Sequence, residues 1–275
     1  MSAVDCAPAA MTRWAVCVAY DGTAFSGWQR QPQVASVQAE VEAALGAVAG
    51  HVVEVACAGR TDAGVHALGQ VVSFDSPAPR SPRAWVLGGN THLAPSVSLA
   101  WAQAVPEHFH ARFSARARRY RYVIWNDEAR CALATPRAAW IPWRLDARVM
   151  HQAAQTLLGE QDFSAFRAAQ CQSRTPMRCV FDIRVWRHGS FVVTDICANA
   201  FLYHMVRNIV GSLIEVGQGR RPVAWIAELM RGRDRRLAAA TAPAGGLVFL
   251  GPEYAPHFAL PPLPQPWFPA TVAAQ

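Results

Sequence analysis

A short loop between two apolar runs holds a carboxylate and a guanidinium close together in the sequence. The loop GRTDAG, residues 59–64, separates the β-branched runs 52–58 and 70–74. Such runs favour strands, and the glycines at both ends of the loop permit tight turns and the close approach of a ligand. Asp62 and Arg60 are therefore presented together on a turn between two strands. Taken alone, this is most simply an ordinary turn that Asp62 caps and in which Arg60 is solvated.

Two further residues have side chains that suit chemistry with Asp62. Tyr120 lies in an arginine-rich stretch, on the opposite strand face from its arginine neighbours, although most tyrosines in strands serve packing. Arg207 lies in the apolar run 201–216, which predicts a long helix. Because an unpaired charge is costly inside apolar surroundings, Arg207 either faces solvent or points into a cleft towards a carboxylate.

Other polar segments suggest contacts with a nucleic acid. The stretch 112–122 interleaves arginines with aromatic residues, a pattern typical of phosphate contacts combined with base stacking. An equally good interpretation is a charged edge strand that resists aggregation. The loop 169–175, AQCQSRT, carries donors for phosphates and base edges, and His204 and Asn208 add polar groups near Arg207.

Metal and nucleotide chemistry are disfavoured. His108, His110 and His204 lack acidic or thiolate ligands at metal spacing, and the seven cysteines are scattered without a C-x-x-C pair. The loop 59–64 lacks the Gly-Lys-Ser/Thr ending of a nucleotide-binding loop, and no Gly-x-Ser-x-Gly elbow or evident triad is present. We therefore expect no metal site, no disulfide framework and no nucleotide-dependent reaction.

The composition is that of a folded, basic protein. The 275 residues are 52% hydrophobic and carry a net charge of +7, enough chain for one large domain or two ordinary ones. The chain contains no lysine, so its total number of arginines is less informative than the clustering of arginines in 112–122. No window has the apolar length of a membrane span, and the first residues lack a signal peptide's features. We expect a cytoplasmic protein with no membrane association.

Periodicity predicts a first α+β half in residues 13–106, after an amino-terminal extension of residues 1–12. Its elements follow the order strand, helix, strand, strand, helix, strand. Ser36 is predicted to cap the first helix and Ser81 the second. The predicted segments are strands 14–20, 52–58, 70–74 and 97–105 and helices 37–48 and 82–87.

A second half, residues 107–275, follows a similar order of elements. Each half is expected to form an antiparallel sheet with helices on one face, so the fold class is α+β with a ligand cleft between two similar halves. The predicted segments are strands 118–125, 181–185, 191–197 and 247–250 and helices 147–158, 201–216 and 222–230.

The stretch CAGRTDAGVHALGQVVSF closely resembles the catalytic motif of the tRNA pseudouridine synthase A family. The stretches YDGTAFSGWQRQP, FHARFSARARRYRY, DFSAFRAAQCQSRTP and NAFLYHMVRNIVGSLIEVG resemble further family signatures in the family's order, so the resemblance covers nearly the whole chain. It implies two α+β halves with a joined antiparallel sheet and a central cleft, in a homodimer that needs no cofactor or metal. It also implies conversion of uridine to pseudouridine at positions 38, 39 and 40 of the tRNA anticodon stem-loop.

The resemblance assigns roles to individual residues. Asp62 matches the catalytic aspartate that attacks the target nucleotide, and Arg207 matches the arginine that pairs with it. Tyr120 matches the tyrosine that stacks on the target base, and Arg60 matches the arginine that flips the nucleotide and fills its place. Arg80 fits a contact with the RNA backbone. The segments that match RNA contacts comprise Phe109, His110, Ala111, Arg112, Phe113, Gln170, Cys171, Gln172, Ser173 and Arg174.

Two features depart from the family pattern: Glu128, where a basic or neutral residue is expected, and the alanine-rich residues 1–12. An alternative function is a non-catalytic tRNA-binding or folding module, which the stretch 112–122 alone would support. The two functions differ at Asp62, because a carboxylate in a phosphate-rich groove repels the ligand unless it performs chemistry. The sequence leaves open whether Asp62 attacks the sugar or the base of the uridine.

Overall fold

One mixed sheet of ten strands runs through the computed structural model, which describes residues 11–135 and 137–266. The strands are β1 (Thr12–Tyr20), β2 (Ala56–Cys57), β3 (His66–Ser76), β4 (Val97–Ala104), β5 (Ala117–Trp125), β6 (Ala139–Trp140), β7 (Gly159–Asp162), β8 (Met177–His188), β9 (Phe191–Ala198) and β10 (Leu247–Glu253). The helices are α1 (Val37–Ala49), α2 (Pro82–His92), α3 (Ala147–Ala154), α4 (Met205–Gly217) and α5 (Trp225–Gly232). The main strand order is β4-β1-β3-β10-β5-β9-β8-β7, with β2 on β3 and β6 on β5.

The last strand, β10, joins the two halves of the sheet. It runs antiparallel to β5 and parallel to β3, where Val248 is opposite His66 and Phe249 is opposite Ala67. The predicted α+β class with one joined sheet is confirmed. Two parallel pairings, β3 with β10 and β5 with β6, make this sheet mixed where we expected a wholly antiparallel one.

Successive side chains along each strand point to opposite faces of the sheet, so that a large core lies on one face and a smaller core on the other. On β1, Trp14 faces α2, and its ring lies 5.7 Å from that of Trp85 in the large cluster. Its neighbour Ala15 points the other way, into a cluster that the loop residues Phe109 and Phe258 close. The helices thus cover one face of the sheet here, and loops cover part of the other.

The run 52–58 forms much less strand than the sequence predicts. Only Ala56 and Cys57 pair with β3. The backbone N–H of Val55 donates instead to the Glu42 carboxylate of α1, at 2.9 Å, and Val52 is 87% exposed. The backbone of Val55 therefore holds this segment against α1, and the segment does not extend the sheet beyond Ala56 and Cys57.

The helix predicted over 201–216 begins later, at Met205. The preceding residues form a turn in which His204 has a φ of 61°, a left-handed conformation that is uncommon for a residue with a side chain. The turn packs the Phe201 ring edge-on against Tyr120, with ring centroids 5.0 Å apart. Contacts outside the segment thus outweigh its helical periodicity.

Parts of the predicted organisation lie outside the described residues. The amino-terminal extension, residues 1–12, is described only at Met11 and Thr12, and Thr12 begins β1. Residues 267–275 of the second half are likewise outside. Within the two described ranges, no helix has the length and apolar character needed to cross a membrane.

A buried ion pair lies on the sheet face opposite to Tyr120. Arg121 donates from Nε and Nη2 to the two carboxylate oxygens of Asp195, at 2.7 and 2.8 Å. The two side chains are only 2% and 9% exposed, and the residues are direct cross-strand partners. The interpretation of 112–122 as a stretch that contacts phosphates is therefore wrong for Arg121.

We expect Arg121→Ala to lower the free energy of unfolding by about 3–5 kcal/mol, because Asp195 is left as a buried, unpaired charge. Arg119→Ala is the matched control on the same strand. Its ion pairs with Asp182 and Glu253 are a third or more exposed, so it should cost at most about 1 kcal/mol. Urea unfolding followed by circular dichroism measures both variants. An Arg121→Ala protein as stable as the wild type would contradict this role.

Candidate active site

Thr61, the residue before Asp62, anchors the loop 59–64 to the N-terminal half. The Tyr20 hydroxyl and Thr61 Oγ1 are hydrogen-bonded at 2.7 Å in the protein interior. The backbone N–H of Trp28 donates to the Thr61 carbonyl at 3.0 Å. Because both the side chain and the carbonyl of Thr61 are held, the backbone that carries Asp62 has little freedom to shift.

Glycines let this loop approach its supports closely. Gln70, fully buried on β3, donates from Nε2 to the Gly59 carbonyl at 2.5 Å and accepts from the Gly59 N–H at 3.4 Å. A Cβ on Gly27 would lie 2.8 Å from the Thr61 carbonyl oxygen, and Gly27 has a φ of 102°. Only glycine fits there without strain, so the turn presenting Asp62 depends on it.

The carboxylate of Asp62 is contacted by two residues from the start of α4. Arg207 Nη1 donates to Asp62 Oδ2 at 3.1 Å, and Arg207 Nε donates to the Ala242 carbonyl at 2.8 Å. His204 Nε2 lies 3.3 Å from the same oxygen, Oδ2. The Asp62, Arg207 and His204 side chains are 19%, 14% and 23% exposed. The predicted contact between Arg207 and Asp62 is therefore present, and it crosses from one half to the other.

Tyr120 lies beneath the same loop. Its ring is 7% exposed and packs against Phe249 and Phe201, with centroids 4.8 and 5.0 Å away. Its hydroxyl oxygen lies 3.8 Å from the position that a Cβ on Gly59 would occupy. Burial, reinforced by the negative charge of Asp62, raises the pKa of Tyr120. The phenol therefore stays protonated, as a neutral neighbour of the carboxylate.

Arg60 does not join this group. Its side chain is exposed and forms no hydrogen bond or ion pair with any residue that the structure describes. Its charge acts on Cys57, where it opposes the burial that raises the pKa of that thiol to about 11. The structure thus brings Tyr120 and Arg207 to Asp62 and leaves Arg60 unengaged at the surface.

Two of the predicted RNA-contact residues have buried side chains. Phe109 and Ala111 are both fully buried. The Phe109 ring packs against Tyr254 and Phe258, with both centroids 5.0 Å away. Both side chains close the core on the helix-free face of the sheet, which leaves only the backbone of these two residues for the predicted contact with RNA.

Their neighbours remain accessible. Arg112 and Phe113 are exposed, and the Arg112 guanidinium lies 5.5 Å from the centre of the Phe113 ring. The His110 ring is 4.4 Å from that of Phe113. Arg80 is also exposed, although its Nε donates to the Val48 carbonyl at 2.8 Å. These side chains present charge and aromatic surface to solvent.

The loop 170–174 combines exposed and structural residues. Cys171 Sγ accepts the backbone N–H of Tyr203 at 3.4 Å, and Ser173 Oγ accepts from Arg178 Nη2 at 2.6 Å. The first contact holds the loop against the turn before α4, and the second holds it against β8. The exposed members are Gln170, Gln172 and Arg174.

Sequence reasoning missed His204 as a contact of Asp62. It treated His204 only as a polar group on a nearby turn of a predicted helix. The available signal was its spacing of three residues from Arg207, which directs two side chains of a helix to the same side. Although His204 lies in a turn rather than in the helix, its side chain and that of Arg207 both reach Asp62.

No metal-binding cluster accompanies this centre in the described residues, and two cavities lie apart from it. Across residues 11–135 and 137–266, no group of three or more His, Cys, Asp or Glu side chains could hold a metal ion. A cavity of about 520 Å³ is lined by residues that include Asp21, His66, Arg121 and Arg137. A second, of about 510 Å³, is lined by residues that include Arg119, Asp182, Arg184 and Glu253. Asp62 lines neither cavity.

Comparison with known proteins identifies the family. The profile of a family described as tRNA pseudouridine synthase matches residues 16–114, which contain Asp62, and 153–255, which contain Arg207. The tRNA pseudouridine synthase A of Shewanella loihica is 53% identical over 251 residues, covering 91% of this chain and 96% of that protein. The tRNA pseudouridine synthase A of Citrobacter koseri is 54% identical over 264 residues, covering 96% and 97%. The chain therefore belongs to the tRNA pseudouridine synthase family.

Proposed function

We propose that this chain converts uridine to pseudouridine at positions 38, 39 and 40 of the tRNA anticodon stem-loop, with Asp62 as the nucleophile. Membership of the family provides the reaction class, an isomerisation of uridine within tRNA. The observation that carries the assignment to Asp62 is its ion pair with Arg207, made by a carboxylate that remains 19% exposed on an anchored glycine turn.

The surroundings of Asp62 suit a nucleophile. A cation in contact with a carboxylate favours its charged form, which is the nucleophilic one. Arg207 is itself held by the Ala242 carbonyl, so it directs the carboxylate as well as balancing its charge. A binding module would gain nothing from such an acidic group facing a polyanion.

The reaction conserves every atom of the nucleotide. Asp62 attacks either the sugar or the base, the bond between N1 and C1′ breaks, and the base turns within the site. A new bond forms between C5 and C1′, C5 loses a proton, N1 gains one, and the aspartate is released. Because no electrons are gained or lost overall, the proposed reaction requires no redox partner.

The remaining side chains serve to bind and expose the uridine. A uridine in a stem has to leave the stack before a carboxylate can reach it. In our proposal the Tyr120 ring stacks on the flipped base, and the exposed Arg60 guanidinium fills the vacated space. The proposed contacts with the rest of the RNA are Arg80, His110, Arg112, Phe113, Gln170, Gln172 and Arg174.

We also propose an oligomeric state and a cellular compartment for this chain. By resemblance to its family, the chain acts in the cytoplasm as a homodimer whose basic surface binds one tRNA across both protomers. The net charge of +7 supports binding of a polyanion.

We expect Asp62→Asn to lower pseudouridine formation on the order of 10⁴-fold or more, because the variant lacks the nucleophile. Its affinity for tRNA should stay within about threefold of wild type, since phosphate contacts supply most of the binding. The control is Asp75→Asn, which removes a carboxylate that is paired with Arg13 at the far end of β3. Single-turnover assays with a tRNA transcript measure the rate, and filter binding measures affinity. Pseudouridine formation by Asp62→Asn at the wild-type rate would refute the assignment.

We expect Arg207→Gln to lower the single-turnover rate by about 100-fold, because a charge that orients the carboxylate is removed. Arg207→Lys should recover only part of this loss, since an ammonium group cannot bind Asp62 and the Ala242 carbonyl with the same fork. Arg231→Gln, at an exposed arginine of α5, serves as the charge-matched control. Equal rates for Arg207→Gln and Arg231→Gln would show that the ion pair has no role in the reaction.

We expect Arg112→Gln to weaken tRNA binding and to reduce the slope of log affinity against log salt by about 0.7–0.9, the value for one lost phosphate contact. Arg184→Gln is the control, because Arg184 is an exposed arginine of β8 that pairs with Asp182 and is not among the proposed RNA contacts. The measurement is a salt titration of tRNA affinity for each variant. An unchanged slope for Arg112→Gln would remove Arg112 from the RNA-binding surface.

A further inference from the structure

His204 occupies a backbone conformation that needs an explanation. It is one of few non-glycine residues with a positive φ among those described, with φ 61° and ψ 4°. Such conformations are unfavourable for residues with a Cβ, and they persist where the surroundings impose them. Here the consequence is that the imidazole of His204, directly before α4, lies beside the carboxylate of Asp62.

The turn that carries His204 is fixed on several sides. The Tyr203 N–H donates to Cys171 Sγ at 3.4 Å, and the Tyr203 carbonyl accepts from the Ala168 N–H at 3.2 Å. The Tyr203 and His204 rings are stacked, with centroids 3.9 Å apart and an interplanar angle of 28°. The His204 carbonyl accepts the Asn208 N–H at 2.9 Å as α4 begins. The imidazole is thereby directed by its neighbours before any substrate binds.

The contact with Asp62 determines which imidazole nitrogen carries a proton. His204 Nε2 lies 3.3 Å from Asp62 Oδ2. A carboxylate oxygen can only accept a hydrogen bond, so attraction requires a proton on Nε2. Burial lowers the pKa of His204, the charges of Arg207 and Arg235 lower it further, and that of Asp62 opposes them. The neutral tautomer with a proton on Nε2 therefore prevails near neutral pH.

Both contacts of the Asp62 carboxylate converge on one oxygen. Arg207 donates a hydrogen bond to Oδ2, His204 Nε2 lies 3.3 Å from the same oxygen, and no other residue in the described ranges makes a hydrogen bond or ion pair with the side chain. Oδ1 is therefore the oxygen left for a nucleotide. A second cation at Oδ2 would withdraw electron density from the carboxylate, whereas a neutral donor orients it with a smaller loss of nucleophilicity.

We propose that His204 is a positioning residue for the nucleophile: its Nε2–H holds Oδ2 of Asp62 together with Arg207, so that Oδ1 makes the attack. The proposal rests on the proposed role of Asp62. His204 itself touches neither the uridine nor the bond that breaks, so it should affect the rate of the chemical step and leave tRNA binding nearly unchanged.

Two substitutions separate this role from a structural one. His204→Gly removes the imidazole and relieves the positive φ. His204→Asn tolerates the left-handed conformation and does not titrate, but its amide ends at the position of Nδ1 and is too short to reach Oδ2. Ala259→Gly is the backbone control, because Ala259 also has a positive φ, 46°, and lies outside the site. Thermal unfolding checks each variant for folding.

We expect His204→Gly to react about 10- to 100-fold more slowly than wild type in single-turnover assays at saturating tRNA, because the carboxylate is misdirected. The dissociation constant for tRNA should change by less than about twofold, since no phosphate contact is lost. His204→Asn should be about as slow as His204→Gly, because its amide is too short to reach Oδ2, and Ala259→Gly should match wild type. A purely structural His204 would predict a stability loss in His204→Gly without this separation of rate from binding.

The pH dependence provides a second readout. The groups that face His204 are Asp62, Arg207, Arg235 and Tyr203. Burial together with the charge of Asp62 raises the pKa of Tyr203, so it stays protonated. The wild-type rate should fall as pH decreases through the lowered pKa of His204, below about 6.5, whereas His204→Asn should lack this inflection.

A His204→Gly protein that folds and reacts at the wild-type rate would overturn the proposal, as would the same acid inflection in His204→Asn and wild type. If His204→Gly fails to fold, His204→Asn and its pH profile decide the matter. Asp62→Asn separates this failure from that of the proposed function. Normal His204 variants with an inactive Asp62→Asn would reject only the role of His204, whereas an active Asp62→Asn would reject the nucleophile itself.

Discussion

The ion pair between Asp62 and Arg207 is the interaction on which the arrangement of the site depends. Its two members come from different halves: Asp62 from the loop between β2 and β3, and Arg207 from the first turn of α4. Their contact is 3.1 Å long, and β10 joins the two halves into one sheet. A partly buried pair of this kind loses much of its Coulomb energy to desolvation. In the proposed reaction its value is the direction that it gives to the carboxylate rather than a contribution to stability.

Arginines in this protein divide into structural and accessible groups, so the net charge overstates the surface available to RNA. The guanidinium of Arg121 is buried in its ion pair with Asp195. Arg118 donates to the carbonyls of Ala58, Ala115 and Asn199, with distances from 2.9 to 3.3 Å, and so holds the start of the loop 59–64 against its surroundings. Guanidinium groups can serve both purposes because they offer five donors in a fixed plane.

Local patterns were sufficient to predict much of the fold and the centre of the site. The glycine-flanked turn at Asp62, the serine cap before α2 and the strand alternation around Tyr120 all reflect short-range physics. The cost of an unpaired buried charge left two options for Arg207, solvent or a carboxylate, and only the resemblance to the family named Asp62 as its partner. The other inferences needed only neighbouring residues.

Features that depend on distant contacts were not predictable in the same way. The placement of β10 between the halves, and its parallel pairing with β3, are properties of the assembled sheet. The burial of Phe109 depends on the loop at Phe258. The turn at His204 interrupts a run whose periodicity continues through it, because packing of Phe201 on Tyr120 outweighs helix propensity. Each case is a tertiary contact that overrides a local preference.

Mapping pseudouridine in tRNA from cells that lack this protein, complemented with either the wild-type or the Asp62→Asn gene, tests the account most directly. The account predicts that pseudouridine disappears from positions 38, 39 and 40 alone and that only the wild-type gene restores it. An unchanged map in cells without the protein, or restoration by Asp62→Asn, would contradict it.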